Sequence, residues 1–264
     1  MTSKKVTTWI GEVEKRIAGF SAKYSHTYRY TDRQIAAAFE IGCFHALVDF
    51  YSADCNAEPK NLVDGAYRYL TSPNGNPKNF SYVFFQGRKR SFELRQQVRI
   101  RSHKNPDISF TPDIVVLPQN AYIERVVDPD YAGGVRGYYA VSSDAVIAAH
   151  ECKSMAPFPE LLVSFIGMFM VGHGWADQPL KDCINDAGLH LAPTLFVGGT
   201  PRGLHARMTS ALSALYPINI VMGFHKRTVW RLARKDLCLL NNPILNEVYA
   251  KAAAQTRKKA AAQP

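Results

Sequence analysis

The stretch FTPDIVVL, residues 110–117, and the stretch VIAAHECK, residues 146–153, are two apolar runs of strand length with charged side chains at one end. Asp113 lies at the start of the first run, and Glu151 and Lys153 close the second. Because side chains alternate in direction along a strand, Glu151 and Lys153 point to one face and the residue between them to the other. If the two runs pair side by side, two carboxylates and one ammonium converge. We expect the fold to be organised around that point.

The composition is that of a globular protein with an excess of positive charge. The chain has 264 residues, of which 47% are hydrophobic and 20% charged, enough for one large domain. Its formal net charge of +10 favours a polyanionic partner, chiefly nucleic acid. The five cysteines are scattered and show no C-x-x-C spacing, which argues against a disulfide framework and against a zinc cluster.

No secretory or membrane-spanning segment is expected. The N-terminal stretch MTSKKVTTWIGEVEKR lacks the apolar core of a signal peptide. The most apolar segment, residues 161–172, is shorter than the ~20 residues that cross a bilayer. Together with the cysteine usage, these features predict a cytoplasmic protein without a membrane partner.

Two amphipathic helices are predicted before the first strands. Apolar residues spaced by three or four mark a helix over 6–22. A second helix begins at a capping box of Thr31 and Gln34 and carries an apolar stripe as far as Phe50. Glu40 lies beside that stripe rather than opposite it, so its carboxylate is placed near the core.

The next part of the chain predicts a loop followed by a hairpin. Residues 52–80 are rich in Asn, Asp, Gly and Pro, which predicts a loop around one short element at 61–70. Residues 82–85 and 92–101 are predicted to form the arms of the hairpin. The second arm alternates between apolar and polar residues, as a half-buried strand does.

An insertion separates the two motif stretches, and a parallel unit is predicted after it. Residues 118–143 are rich in turn signals and have room for short strands at 121–127 and 137–141. Strand and helix patterns then alternate, which predicts a βαβαβ unit with a largely parallel, buried sheet. Its predicted elements are strands 145–152, 191–197 and 218–224 and helices 159–174 and 204–215. The first of these helices is apolar nearly all round, so we expect both of its sides to be covered.

The element order, with Pro112-Asp113 and Glu151-Cys152-Lys153, resembles the PD-(D/E)xK nuclease superfamily, which has a restriction-endonuclease-like fold. The resemblance covers roughly residues 31–225 in element order. It implies an α/β fold with a restriction-endonuclease-like core, in which helices flank a central mixed β-sheet. Residues 1–264 would then form a single nuclease domain, with the insertion at about 118–143 and a basic flexible C-terminal tail at about 251–264.

The motif residues have the chemistry of a hard-cation site. Asp113 and Glu151 supply oxygen ligands suited to Mg²⁺, for which Mn²⁺ can substitute, and the carbonyl of Cys152 is a candidate further ligand. Lys153 would orient or deprotonate a water and stabilise negative charge on a phosphate. Together with these roles, the superfamily resemblance implies a metal-dependent endodeoxyribonuclease that hydrolyses DNA phosphodiester bonds. The alternative for the same residues is a surface ion pair, worth ~0–1 kcal/mol.

Two further acidic residues are candidates for completing the metal site. In the superfamily that the chain resembles, a helical acidic residue before the sheet often adds a ligand, and Glu40 has that place. A solvated helix glutamate is the alternative. Glu93, on the strand before the motif, is a weaker rival.

Basic residues near the ends of three predicted strands are candidates for phosphate contacts, which supply affinity with little sequence information. Gly198 and Gly199 would let the backbone near Arg202 approach a phosphate closely. The alternative for each basic residue is a solvated charge. The nucleic-acid-binding candidates are Arg88, Lys89, Arg90, Arg95, Arg99, Arg202, Lys226 and Arg227.

The physiological role stays open between a restriction enzyme and an anti-phage defence effector. The stretches IVVL at 114–117 and YYAVSSDAVIAAHECK at 138–153 are similar to those of cyclic-nucleotide-activated nucleases from bacterial anti-phage systems. That resemblance implies DNA as partner, a homo-oligomer (dimer or trimer), a cyclic nucleotide activator, and a pocket or oligomer contact formed by 118–143. Two other classes stay open: a catalytically inactive nucleic-acid-binding module on the same fold, and an enzyme acting on small phosphorylated substrates.

Overall fold

Helices and a smaller sheet pack against a seven-stranded mixed sheet in the part of the chain that the computed structural model describes. The helices are α1 (10–18), α2 (Ile35–Ser52), α3 (Pro159–Gly172) and α4 (Gly203–Leu215). The strands are β1 (Asn56–Lys60), β2 (Tyr82–Gln86), β3 (Ser91–Gln96), β4 (Arg99–Arg101), β5 (Ser109–Phe110), β6 (Ile114–Pro118), β7 (Glu124–Val127), β8 (Gly137–Ser142), β9 (Ala148–Lys153), β10 (His190–Leu191), β11 (Thr194–Val197), β12 (Asn219–Val221) and β13 (Leu239–Leu240). The described residues are 10–18, 35–73, 75–88, 91–127, 137–172, 190–224 and 232–240.

The large sheet changes from antiparallel to parallel at β9. Its order is β1-β2-β3-β6-β9-β11-β12, and every pair from β1 to β9 is antiparallel. β9, β11 and β12 run parallel to one another, with α3 and α4 in the connections between them. The predicted central mixed sheet flanked by helices and its parallel unit are therefore confirmed.

The two faces of the large sheet have different covers. α2 lies on the face to which Cys152 points, and its Cys43 contacts the Cys152 thiol. The opposite face carries Ala149 and Glu151, which share a cleft with Phe165 and Phe169 of α3. Charged side chains on that second face therefore lie beside α3 rather than beneath α2.

α2 is the central helix of the main core. By length and composition alone it could cross a membrane, but 72% of its apolar window is buried inside the protein. Phe39, Phe44 and Leu47 are among its fully buried side chains. Its apolar character is therefore accounted for by packing against the sheet.

The predicted insertion takes part in a second, smaller sheet. The predicted strands at 121–127 and 137–141 are confirmed as β7 and β8, which lie in a four-stranded sheet of order β5-β4-β8-β7. Ile100 and Val141 pack in a separate core with Val115 and Ala149 of the large sheet. This small sheet therefore covers the face to which Glu151 points.

Three expectations for the region before the motif are wrong. Residues 52–80 are not only loop, since β1 lies within them on the sheet edge, where a polar strand containing Pro59 is tolerated. The element expected at 61–70 is reduced to one isolated bridge between Val63 and Ala66. The second hairpin arm is broken at Gln97, whose φ is 51°.

Two expectations for the parallel unit also need correction. The apolar run 191–197 is divided at Pro193, which has no N–H for a strand ladder; β10 pairs with β13, and β11 joins the large sheet. α3 is not covered on both sides by described residues, because Val163 is 58% exposed and Met170 37% exposed. The predicted capping box at Thr31 and Gln34 and the tail at 251–264 lie outside the described residues.

Candidate functional site

The termini of three interior strands lie together at one end of the large sheet. Asp113 directly precedes β6, whose first residue, Ile114, is opposite Gln96 of β3 on one side and His150 of β9 on the other. Because β6 is antiparallel to both neighbours, its start lies beside their ends. Asp113 is thereby placed next to the end of β9, where Glu151 stands.

A single ammonium group contacts both motif carboxylates. Lys153 Nζ lies 3.8 Å from Asp113 Oδ2 and forms an ion pair with Glu151 Oε1. Asp113 Oδ2 also accepts a hydrogen bond of 2.7 Å from the backbone N–H of Cys152. The structure therefore brings Asp113, Glu151 and Lys153 together on one side of the sheet, whereas their catalytic role stays a prediction.

Glu40 reaches the same site from α2 through two glutamine side chains. Gln97 Nε2 donates to Glu40 Oε2 at 3.1 Å and to Asp113 Oδ1 at 2.9 Å. Gln96 Nε2 donates to Glu40 Oε1 at 3.0 Å. Sequence reasoning missed both glutamines because the alternating pattern placed Gln97 toward solvent. The signal that could have identified them is Gln96, which stands where the alternation calls for an apolar residue and is followed by a second amide.

Glu93 is not part of this cluster. Its Oε2 forms an ion pair of 2.7 Å with Arg95, and its Oε1 accepts from the backbone N–H of Asn120 at 3.0 Å. Both oxygens are used in holding β3 and the turn after β6. The structure therefore gives Glu93 a structural role rather than a place in the candidate metal site.

Burial and mutual repulsion dominate the electrostatics of the cluster. Burial, and then the charge of Asp113, raise the pKa of Glu151 to about 7 despite its ion pair with Lys153. Burial also raises the pKa of Asp113, and raises that of Glu40 well above the usual range, with the charge of Asp113 adding to the effect on Glu40. Three carboxylates thus share a desolvated place in which they repel one another.

Lys153 only partly offsets that negative charge. Burial lowers the pKa of Lys153, but the neighbouring Asp113 and Glu151 outweigh burial, so its pKa is raised overall. The side chain is therefore an ammonium at neutral pH. This one positive charge contacts only Asp113 and Glu151, so it does not offset the burial and repulsion that raise the pKa values of all three carboxylates.

The carboxylates of this cluster have the chemistry of ligands for a hard divalent cation. Among the described residues, no group of three or more His, Cys, Asp and Glu side chains is already close enough to enclose a metal ion. Glu151 Oε2, however, is buried and has no hydrogen-bond partner within the described part of the chain. Carboxylate oxygens of this kind are the ligands that Mg²⁺ prefers. The contribution of the Cys152 carbonyl stays a prediction.

The described phosphate-binding candidates differ in how free their charges are. Arg88 and Arg202 are exposed. Arg99 is half-buried, donates to Thr111 Oγ1 at 3.4 Å and lies over the ring of Tyr138. Lys89, Arg90, Lys226 and Arg227 lie outside the described residues.

Arg95 does not fit its predicted role as a phosphate-binding residue. Its side chain is 13% exposed, and its guanidinium is ion-paired with Glu93 and stacked 3.6 Å from the centre of the Tyr82 ring. The charge is therefore used inside the protein. Its alternation on the strand was predicted correctly, but not the burial of that face by neighbouring side chains.

The predicted role of the glycines near Arg202 is also wrong in this structure. The N–H of Gly198 donates to Lys153 O at 2.8 Å, and the N–H of Gly199 donates to Met155 O at 3.0 Å. A Cβ on Gly199 would lie 2.4 Å from the Cα of Ala156. These glycines allow two backbone segments to pack closely, so their N–H groups are not available to a phosphate.

Comparisons of this chain with protein-family models, with curated proteins and with solved structures found no match. The superfamily resemblance therefore rests on the quoted residues and on the order of elements.

Proposed function

We propose that this protein is a Mg²⁺-dependent endodeoxyribonuclease, acting either as a restriction enzyme or as an anti-phage defence effector. The observation that carries the proposal is the contact of one ammonium, Lys153, with both Asp113 and Glu151 where β6 begins and β9 ends. Two carboxylates and a lysine are the groups that metal-assisted phosphodiester hydrolysis requires. A restriction-endonuclease-like core is part of the same proposal.

Asp113 and Glu151 would hold the cation, together with the Cys152 carbonyl, and Glu40 would support them from α2. Mg²⁺ bound there supplies Lewis-acid activation of phosphate and water. Lys153 remains protonated, so it would stabilise the negative charge that develops on the phosphate and orient the attacking water by donating to it. The products expected from the resemblance are a 5′-phosphate and a 3′-hydroxyl.

The proposed substrate follows from charge and from the resemblance. A net charge of +10 favours a polyanion, and the exposed Arg88 and Arg202 are available to contact its backbone. The choice of DNA over RNA comes from the resemblance alone. The proposed homo-oligomer and cyclic nucleotide activator come from the narrower resemblance to cyclic-nucleotide-activated nucleases, and the proposed cytoplasmic location comes from the cysteine usage and the N-terminal sequence.

A plasmid-cleavage assay with Mg²⁺ tests the proposal. The native chain is compared with Glu151→Ala and Lys153→Ala, and Glu58→Ala serves as a matched control because Glu58 and Lys60 have the same spacing and also form an ion pair. Cleavage by the native chain and the control, with loss in both β9 variants, is expected. Equal cleavage by all four proteins would indicate contamination and remove the proposal.

Other outcomes of that assay distinguish the alternatives. Steeply salt-dependent DNA binding without cleavage, in the presence of Mg²⁺ and added cyclic oligonucleotides, would favour the inactive binding module. Discrete fragments would indicate a restriction enzyme that reads a sequence. A smear, or cleavage only after a cyclic oligonucleotide is added, would favour a defence effector.

A further inference from the structure

Gln97 lies in a break between β3 and β4, beside the candidate site. β3 ends at Gln96 and β4 begins at Arg99, and between them Gln97 has a φ of 51°. Neighbouring residues on a regular strand point to opposite faces, yet Gln96 and Gln97 both reach Glu40. Since a left-handed conformation is unfavourable for glutamine, its surroundings must hold it there.

The contacts of Gln97 join two carboxylates from different elements. Its backbone N–H donates to the carbonyl of Asp113 at 3.0 Å. Its side-chain Nε2 donates to Asp113 Oδ1 at 2.9 Å and to Glu40 Oε2 at 3.1 Å. An amide NH₂ group has two hydrogens, so one buried side chain can serve both carboxylates at once.

We propose that Gln97 is a positioning residue of the cation site: its side-chain amide holds Asp113 and Glu40 together without adding a positive charge. This inference rests on the proposed function, since it gives Gln97 a role toward the same cation. An arginine or lysine at this position would donate similar hydrogen bonds. It would also add positive charge beside Lys153, which already contacts Asp113 and Glu151. Glutamine supplies the hydrogen bonds without a positive charge that would repel a cation.

Gln96 provides a matched control within the same break. It donates to Glu40 Oε1 at 3.0 Å, and no hydrogen bond between its side chain and Asp113 is present in the described structure. Replacing either glutamine by methionine keeps a similar shape and removes the donors. Only the change at Gln97 removes a hydrogen bond to Asp113, so the two variants separate support of a cation ligand from support of Glu40 alone.

The test measures Mn²⁺ affinity of the full chain by titration calorimetry, with metal-free thermal unfolding as the measure of structure. Loss of a partner that orients a metal ligand typically lowers affinity about 10- to 100-fold, which is expected for Gln97→Met. Gln96→Met is expected to change affinity less than about threefold, because Asp113 keeps its partner. Gln97→Lys is expected to bind Mn²⁺ more weakly than Gln97→Met while unfolding at no lower temperature.

The outcomes separate this inference from the proposed function. Native affinity in Gln97→Met, or equal losses in Gln96→Met and Gln97→Met, would overturn the positioning role and leave the proposed function intact. If Gln97→Met does not fold, native Mn²⁺ affinity in Gln97→Lys would overturn it instead. A native chain that binds no Mn²⁺ would remove both the inference and the proposed function.

Discussion

The sequence contains Glu-x-Lys twice, and the two copies lie in very different parts of one sheet. Glu58-Pro59-Lys60 is on the edge strand β1, where Lys60 pairs with Glu58 and the Glu58 side chain is 53% exposed. Glu151-Cys152-Lys153 is on the interior strand β9, where Lys153 pairs with Glu151 and the Glu151 side chain is 10% exposed. The same pattern thus forms a surface ion pair in one place and part of a buried cluster in the other.

The difference teaches that neighbouring charges, and not the motif, make the candidate site. An exposed pair in water contributes ~0–1 kcal/mol and is screened by salt. In the β9 copy, Asp113 contacts the same ammonium and Glu40 joins through Gln97, so three carboxylates meet one ammonium where water is scarce. The proposed cation site is therefore the second place and not the first.

The largest effect is expected from removing the charge of Asp113, a carboxylate that has no counterpart beside the β1 copy. Asp113→Asn should lower the Mg²⁺-dependent cleavage rate on the order of 10³-fold, because the cation and the developing charge lose a preorganised partner. Initial rates of plasmid nicking measure it. Glu58→Gln, the control, should cleave within about twofold of the native rate. An Asp113→Asn protein that folds and cleaves at the native rate would show that the comparison assigns the site wrongly.

The second effect is on stability against pH in the absence of divalent cations. The pKa of Glu151 is raised from 4.5 to about 7, so between these values the folded state binds more protons than the unfolded state. The free energy of unfolding should therefore fall as pH rises from about 4.5 to 7, by up to about 3 kcal/mol from this group.

Urea unfolding at several pH values measures this slope. Glu151→Gln should make it shallower, because one of the three carboxylates with a raised pKa is gone, whereas Glu58→Gln should keep it. A native protein whose stability rises through this pH range, with no difference in Glu151→Gln, would contradict the raised pKa.

The third effect is stabilisation by a divalent cation. Mn²⁺ at 100 times its dissociation constant should raise the free energy of unfolding of the native protein by about 2.7 kcal/mol. Asp113→Asn and Glu151→Gln should show little of this gain, and Glu58→Gln should show all of it. Thermal unfolding with and without Mn²⁺ measures the difference. Equal stabilisation of all variants would place the bound cation elsewhere.

The smallest effect is expected at the edge strand itself. Lys60→Ala removes an exposed ion pair, so it should change the free energy of unfolding by about 0.5 kcal/mol or less and leave cleavage unchanged. Denaturant unfolding and the plasmid assay measure both quantities. A loss of cleavage in Lys60→Ala would mean that β1 contributes to the site and that the two copies are not as different as their surroundings indicate.

Much of the fold follows from patterns along the chain. The near-continuous apolar runs of β9, β11 and β12 and the helical spacing of α3 and α4 predicted the parallel unit, because strands buried on both faces need such runs. Edge strand β1 was missed, since a strand with one exposed side and a proline has no such signal. The break at Gln97 was missed as well, because apolar and polar residues continue to alternate in the sequence after Gln97 although the backbone turns there.

Part of the candidate site was also predictable. Asp113, Glu151 and Lys153 were identified from their places at the ends of apolar runs, and the structure brings them together. Glu40 was a candidate only through the superfamily resemblance. Its link to Asp113 through Gln97 spans three elements, α2, the break after β3 and the start of β6, so no local pattern predicts it.

The sequence by itself determined that Glu151 and Lys153 share a face and that Cys152 faces the opposite way, since the two-residue period of a strand is a local property. The tertiary structure alone decided which distant carboxylates and amides join Glu151 and Lys153. That choice depends on strand pairing between distant segments: the hydrogen bond from Cys152 to Asp113 joins residues 39 positions apart. Desolvation and charge repulsion arise only when such segments meet, and they are what make the cluster at β9 a candidate site.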